Sequence, residues 1–216
     1  QNERIALDGR LGRKKNGDIK AGIPDRDDEM LLYLMSRRDE VYAFEKEIEK
    51  SIKAKVHTYP LWDEFLLYVK GCGEIMAAVL LTQIDICKAV SVSNLWSFAG
   101  LAPGKDRKVK GQKCTYNQFL KSKLLGVLGS GFLKSKSPYA DFYYNMKNRL
   151  ESEGWGVACK NPSDKKRPKA GHQHMAANRY MVKMFLKDLY VAWRTIEGLE
   201  VREPYQEEYL GKRHIS

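Results

Sequence analysis

Between residues 61 and 153 no convincing alternation of apolar and polar side chains runs for five or more positions, so a half-buried strand has little to form from. Helical spacing recurs instead, interrupted by loops that Gly and Pro mark. A long pattern precedes this region. Leu34, Val41 and Ile48 fall seven apart, and Phe44, Ile48 and Ile52 fall four apart. Arg37, Arg38, Glu45, Lys46, Glu49, Lys50 and Lys53 cover the remaining surface. Asp27 and Asp28 suit the positive end of a helix and Pro60 bars its continuation, which predicts one amphipathic helix between them. A second long helix is predicted over residues 173–197. Residues 105–115 would accommodate a hairpin around Gly111, although their composition is that of a basic loop. The expected fold class is all-α.

Gly9, Gly12, Gly17, Gly22 and Pro24 lie among alternating charges in residues 1–26, where neither period survives. That segment reads as a flexible or extended arm. A connecting helix over 27–60, a helical domain over 61–205 and a tail over 206–216 complete the expected organisation. Residues 154–171, with Gly154, Gly156, Pro162, Pro168 and several lysines, form a linker inside the domain. With 43% hydrophobic and 30% charged residues the composition is globular rather than disordered. No apolar run approaches the roughly 20 residues of a membrane helix, and residues 1–13 are too polar for a secretory signal. Cys72, Cys87, Cys114 and Cys159 form no CxxC pair, so reduced thiols in a cytoplasmic compartment are expected. The 38 Lys and Arg residues outnumber 27 Asp and Glu, a formal charge of +11, which points to a polyanionic partner.

Residues 65–81 read as a helix, then Gly71-Cys72-Gly73, then an Ala-rich helix. Two glycines permit a tight turn and leave amides uncovered at a helix start, where a phosphate oxygen can bind. Ala77 and Ala78 would let the helices approach, with Ile75 and Leu80 as anchors. This is the helix-hairpin-helix pattern, and the other reading is an αα-corner that binds nothing. The DNA-binding candidates are therefore Lys70, Gly71 and Gly73, with the loop cations Lys105, Arg107, Lys108, Lys110 and Lys113. Lys121, Lys123, Lys134 and Lys136 would extend the positive surface. On the last helix, Ala177, Met181, Met184, Phe185, Ala192, Trp193 and Ile196 share one side. Arg179, Lys183 and Lys187 follow at spacings of four, with Arg194 seven later, which predicts a cationic row opposite. Asp188 is expected to find an internal ion pair. Tyr139, Phe142, Tyr143 and Tyr144 suggest core packing first and base stacking second. His172, Gln173 and His174 match no zinc spacing, and no metal site is expected.

Three stretches carry a resemblance: Gly71-Cys72-Gly73-Glu74-Ile75-Met76-Ala77-Ala78, Ile84-Asp85-Ile86, and Leu95-Trp96-Ser97-Phe98-Ala99-Gly100-Leu101-Ala102-Pro103. Together they resemble the C-terminal domain of the Piv/MooV and IS-110-like insertion-sequence transposases. Residues 119–144 and 172–198 are similar to the same family, so the likeness spans about 61–205. It implies a helix-hairpin-helix domain that holds double-stranded DNA during transposition and recombination, with a guide RNA in some members. A nucleoid-associated place in the cytoplasm follows from that implication. In the family a RuvC-like domain supplies a DEDD carboxylate set, and a loop serine acts as nucleophile. Residues 104–114 hold no serine, with Cys114 the one thiol there, and no strand-borne carboxylate set is present. No catalytic residue and no cofactor are therefore assigned to this chain, and a divalent metal would come only with a RuvC-like domain. The first residue is Gln, so part of a longer or processed protein is expected. The alternative is a non-catalytic, self-assembling protein in which the helix over residues 27–56 drives homo-oligomerisation.

Overall fold

The computed structural model describes residues 1–12, 29–104, 111–155 and 170–202. Its regular elements are all helical, and no strand occurs among the described residues. The all-α expectation holds. The chain divides into two compact units, Gln1–Lys55 and Val56–Ser216.

In the first unit, helix α1 spans Asn2–Arg10 and helix α2 spans Glu29–Val56, whose last residue belongs to the second unit. Helix α1 corrects the expectation of an extended arm. Its glycine Gly9 sits in the last turn, where the helix is already ending. Its charges are paired rather than dispersed. Arg4 donates to Glu45 at 2.6 Å and to Asp8 at 2.9 Å, while Arg38 of α2 donates to Asp8 at 3.0 Å. Arg37 reaches Glu3 at 3.1 Å, and the Arg38 guanidinium lies 5.0 Å from the Tyr42 ring centroid. Ion pairs between two helices fix α1 where its glycine content alone argued for none. The apolar residues of α2 separate: Leu34, Val41 and Ile52 are half-buried, whereas Phe44 and Ile48 are exposed.

The second unit begins with α3 (Pro60–Glu64), in which Pro60 opens the helix where its missing N–H matters least. A 3-10 turn, Leu66–Tyr68, leads through the glycine corner to α4 (Glu74–Gln83) and then α5 (Val92–Phe98). Helix α6 (Gln118–Ser122), a π-helical stretch (Lys123–Leu128) and α7 (Gly129–Lys134) follow without interruption. Helices α8 (Tyr139–Ser152) and α9 (Ala170–Ile196) complete the unit.

The side-chain bonds between α8 and α9 run in opposite order along the two helices. Tyr139 donates to Asp188, Tyr143 bonds His174, and Gln173 donates to the Lys147 carbonyl. The pair is antiparallel, and α9 is the core's axis. Ala177, Met181, Val182, Phe185, Leu186, Leu189 and Tyr190 are fully buried on it. The Phe185 ring meets Phe132 edge-on at 5.3 Å and Tyr139 at 5.5 Å. A π-helical turn shifts the backbone register and leaves a carbonyl short of its usual partner. Asn178 answers this, donating from Nδ2 to the Leu125 carbonyl at 3.0 Å. Gly129 makes the approach possible, since a Cβ there would collide with Asn178 Oδ1.

Three helices stop in the same way. After α5, α8 and α9, residues Gly100, Gly154 and Gly198 adopt positive φ, and the next amide bonds back into the last turn. The stretch from Phe98 to Pro103 that carries the resemblance is thus a helix stop, with Leu101 N–H bonding the Trp96 carbonyl at 2.8 Å.

Candidate nucleic-acid interface

The glycine corner is built differently from the predicted pair of helices meeting at a turn. The segment before it is the five-residue α3 and a 3-10 turn, not one helix running to Lys70. Cys72 N–H bonds the Val69 carbonyl at 3.0 Å and the Cys72 side chain is buried, which pins the corner to the core. Burial pushes the Cys72 thiol up to about 12, so it is an inert packing group.

The two glycines have separate tasks. Gly71, at φ +92, is pressed against α7: a Cβ there would lie 2.8 Å from the Gly131 carbonyl group and from Ser135 Oγ. Its glycine character serves close backbone packing, not only amide exposure. Gly73 is extended, exposed, and has nothing within 4 Å of where a Cβ would stand. It caps α4 without any side-chain bond to the first amides of that helix. Ala77 and Leu80 are fully buried, as the pattern suggested, but Ile75 is 43% exposed and anchors nothing.

The Gly71–Gly131 contact has a consequence for charge. It brings Ser135 to the corner, and Lys134 and Lys136 flank Ser135 in sequence. Lys70, Lys134 and Lys136 are exposed, and none is ion-paired among the described residues. Lys136 stands at φ +50, immediately after α7, where the other helix stops use glycine. A side chain costs roughly 1–2 kcal/mol in that conformation, and such outliers concentrate at functional positions.

The remaining candidates separate. Lys105, Arg107, Lys108 and Lys110 lie outside the described residues, and Lys113 is exposed just beyond them. The cationic row on α9 is corrected at Lys183 and Arg194. Arg179 and Lys187 are half-buried, and Lys183 lies with Nζ 4.1 Å from the Trp96 ring centroid, its pKa held below the ordinary lysine value by burial. Arg194 is 7% exposed and points inward, donating to the carbonyls of Ile86, Ala89 and Glu200 at 3.1, 3.0 and 2.6 Å. Its place on the helical wheel was right, but three converging carbonyls outcompete solvent for a guanidinium. Asp188 also departs from expectation: it accepts from Tyr139 at 2.8 Å and takes no cationic partner among the described residues.

His174 bonds the Tyr143 hydroxyl at 2.7 Å, and among the described residues no cluster of His, Cys, Asp and Glu is arranged to hold a metal. Cys114 is half-buried, with Sγ 3.4 Å from the Tyr116 carbonyl it donates to. Tyr139 and Tyr143 pack inward while Tyr144 is 51% exposed. Among the described residues no helix is long and apolar enough to cross a membrane. The signal for Lys134 and Lys136 as corner residues lay in Gly129 and Gly131, which let other segments approach that helix closely. No family model, curated protein or solved structure matches the chain.

Proposed function

We propose that the second unit binds the phosphate backbone of nucleic acid, with duplex DNA as its first partner, in transposition or a related recombination step. The reading is carried by one observation: Lys70, Lys134 and Lys136, exposed and without an ion pair among the described residues, lie on the two segments that meet at the Gly71–Gly131 contact, beside the start of α4. Amides and lysines of this kind hold phosphate oxygens without reading base sequence. The +11 charge and the likeness to insertion-sequence transposases favour the same partner. A guide RNA is the second polyanion that likeness allows. Chemistry would belong to a RuvC-like domain acting with this chain, and no residue here is assigned to it.

The test is a salt titration of duplex binding with Lys70→Gln, Lys134→Gln and Lys136→Gly combined. If all three neutralise phosphates, the slope of log affinity against log salt becomes shallower by about 2.7. Lys136→Gly also relieves the positive φ, so lost binding would not reflect lost folding. A slope equal to that of the unaltered chain removes the corner from the reading.

A second reading concerns the first unit. Met30, Leu32, Tyr33, Phe44 and Ile48 are exposed on α2, between 44% and 65% of their surface, and suit self-association. Phe44→Glu with Ile48→Glu should convert any oligomer seen in sedimentation into monomer. An unaltered sedimentation coefficient would leave α2 without that role.

A further inference from the structure

Beside the glycine corner lies a cleft of about 380 Å³ whose walls and floor differ in chemistry. Phe65, Tyr68 and Phe142 line it with rings, and Ser137 and Asp188 contribute polar groups. Lys70 stands at both the cleft and the corner. The volume is at the small end of the range for ligand pockets and suits one flat heterocycle.

Three features of this cleft are unused by the fold. Tyr68 is 75% exposed, so its ring is open for stacking, whereas Phe65 stacks on Phe185 at 6.3 Å. Ser137 is 3% exposed, yet its hydroxyl has no hydrogen-bond partner among the described residues. A buried hydroxyl without a partner is unfavourable and gains from any ligand group that completes it. Among the described residues Asp188 accepts only from Tyr139, through Oδ2, and pairs with no cation, which leaves the carboxylate with acceptor capacity. Burial and the Asp188 charge hold the Tyr139 hydroxyl far above its ordinary pKa, so it stays a donor to that carboxylate. Glu64 adds a second exposed carboxylate to the lining, so a bare phosphate is a poor occupant. Aromatic faces, a hydroxyl and a carboxylate acceptor together match a nucleobase, which offers a π-face and N–H groups on one edge.

We propose that this cleft takes one unpaired base of a nucleic acid whose backbone lies at the glycine corner, with Tyr68 stacking on it and Asp188 and Ser137 bonding its edge. The inference rests on the nucleic-acid reading above. A base paired inside a duplex cannot reach the cleft, so strands with unpaired positions are preferred.

The test compares three fluorescent probes of one length with the full chain at equal salt: a single strand, the same strand carrying abasic sites throughout, and the matched duplex. The abasic strand keeps every phosphate. The base-bearing strand should bind about tenfold more tightly than the abasic one, the scale of one stacked base. Tyr68→Ala with Ser137→Ala should bring that ratio near one while duplex affinity is retained. Both changes spare the fold, since Tyr68 is exposed and Ser137→Ala deletes only an unpartnered hydroxyl. Equal binding of the base-bearing and abasic strands overturns the base site and leaves backbone binding standing. A ratio that survives both substitutions overturns the assignment to this cleft, and failure of all three probes to bind removes both proposals.

Discussion

Arg194→Met is expected to destabilise the second unit by about 3–5 kcal/mol, because it removes three charge-assisted bonds, two of them buried. Methionine keeps much of the stem's packing, so the loss reports the bonds and not a cavity. The guanidinium holds Ile86 and Ala89, which precede α5, and Glu200, which follows α9. It also sits in the last turn of α9, where the helix dipole favours a cation. Trp62, Trp96, Trp155 and Trp193 all lie in the second unit, so urea unfolding followed by tryptophan fluorescence reports that unit. A midpoint within error of the unaltered chain would mean that water or another donor already satisfies those carbonyls. Had Arg194 belonged to a phosphate-binding row, the same substitution would weaken DNA binding and barely change folding.

The second large effect concerns helix glycines that look alike in sequence and should respond with opposite signs. Gly131→Ala places a Cβ 2.6 Å from the Gly71 carbonyl oxygen, and overpacking of this kind costs about 1–3 kcal/mol. Gly71→Ala meets the same contact from the other side and adds about 1–2 kcal/mol for a side chain at positive φ. Gly126, five residues earlier in the same helical run, has open space where its Cβ would stand, so Gly126→Ala should stabilise by about 0.5–1 kcal/mol. The same unfolding measurement reads all three. If Gly131→Ala proves neutral, the corner is looser than the backbone contact indicates. Because Gly71 variants disturb packing, amide access for phosphate is better tested at Gly73, whose extended backbone accepts any residue.

Much of the architecture could be read from spacing alone. The period of apolar residues on α9, the break before Pro60 and the absence of alternating runs each reflect local chemistry. Helix α1 was missed because its stabilising partners, Glu45 and Arg38, lie thirty or more residues away on α2. The candidate site was legible as residue types and not as a surface. Lys70, Gly71 and Gly73 were found from one short motif, yet Lys134 and Lys136 join them only through the approach of Gly71 to Gly131. Arg194 and Lys183 had the right helical phase for a cationic row. Their fates were set by what stands opposite them, three carbonyls in one case and the Trp96 ring in the other.

Local periodicity and the positions of Gly and Pro determined the class of this protein and the placing of its long helices, because backbone preference and amphipathic spacing act over a few residues. Which lysines stay free, which arginine turns inward and which hydroxyl is left facing a cleft were decided by tertiary structure. A side chain's partner is whatever group the fold brings within hydrogen-bond reach, and that distance is not written into any neighbouring stretch of chain.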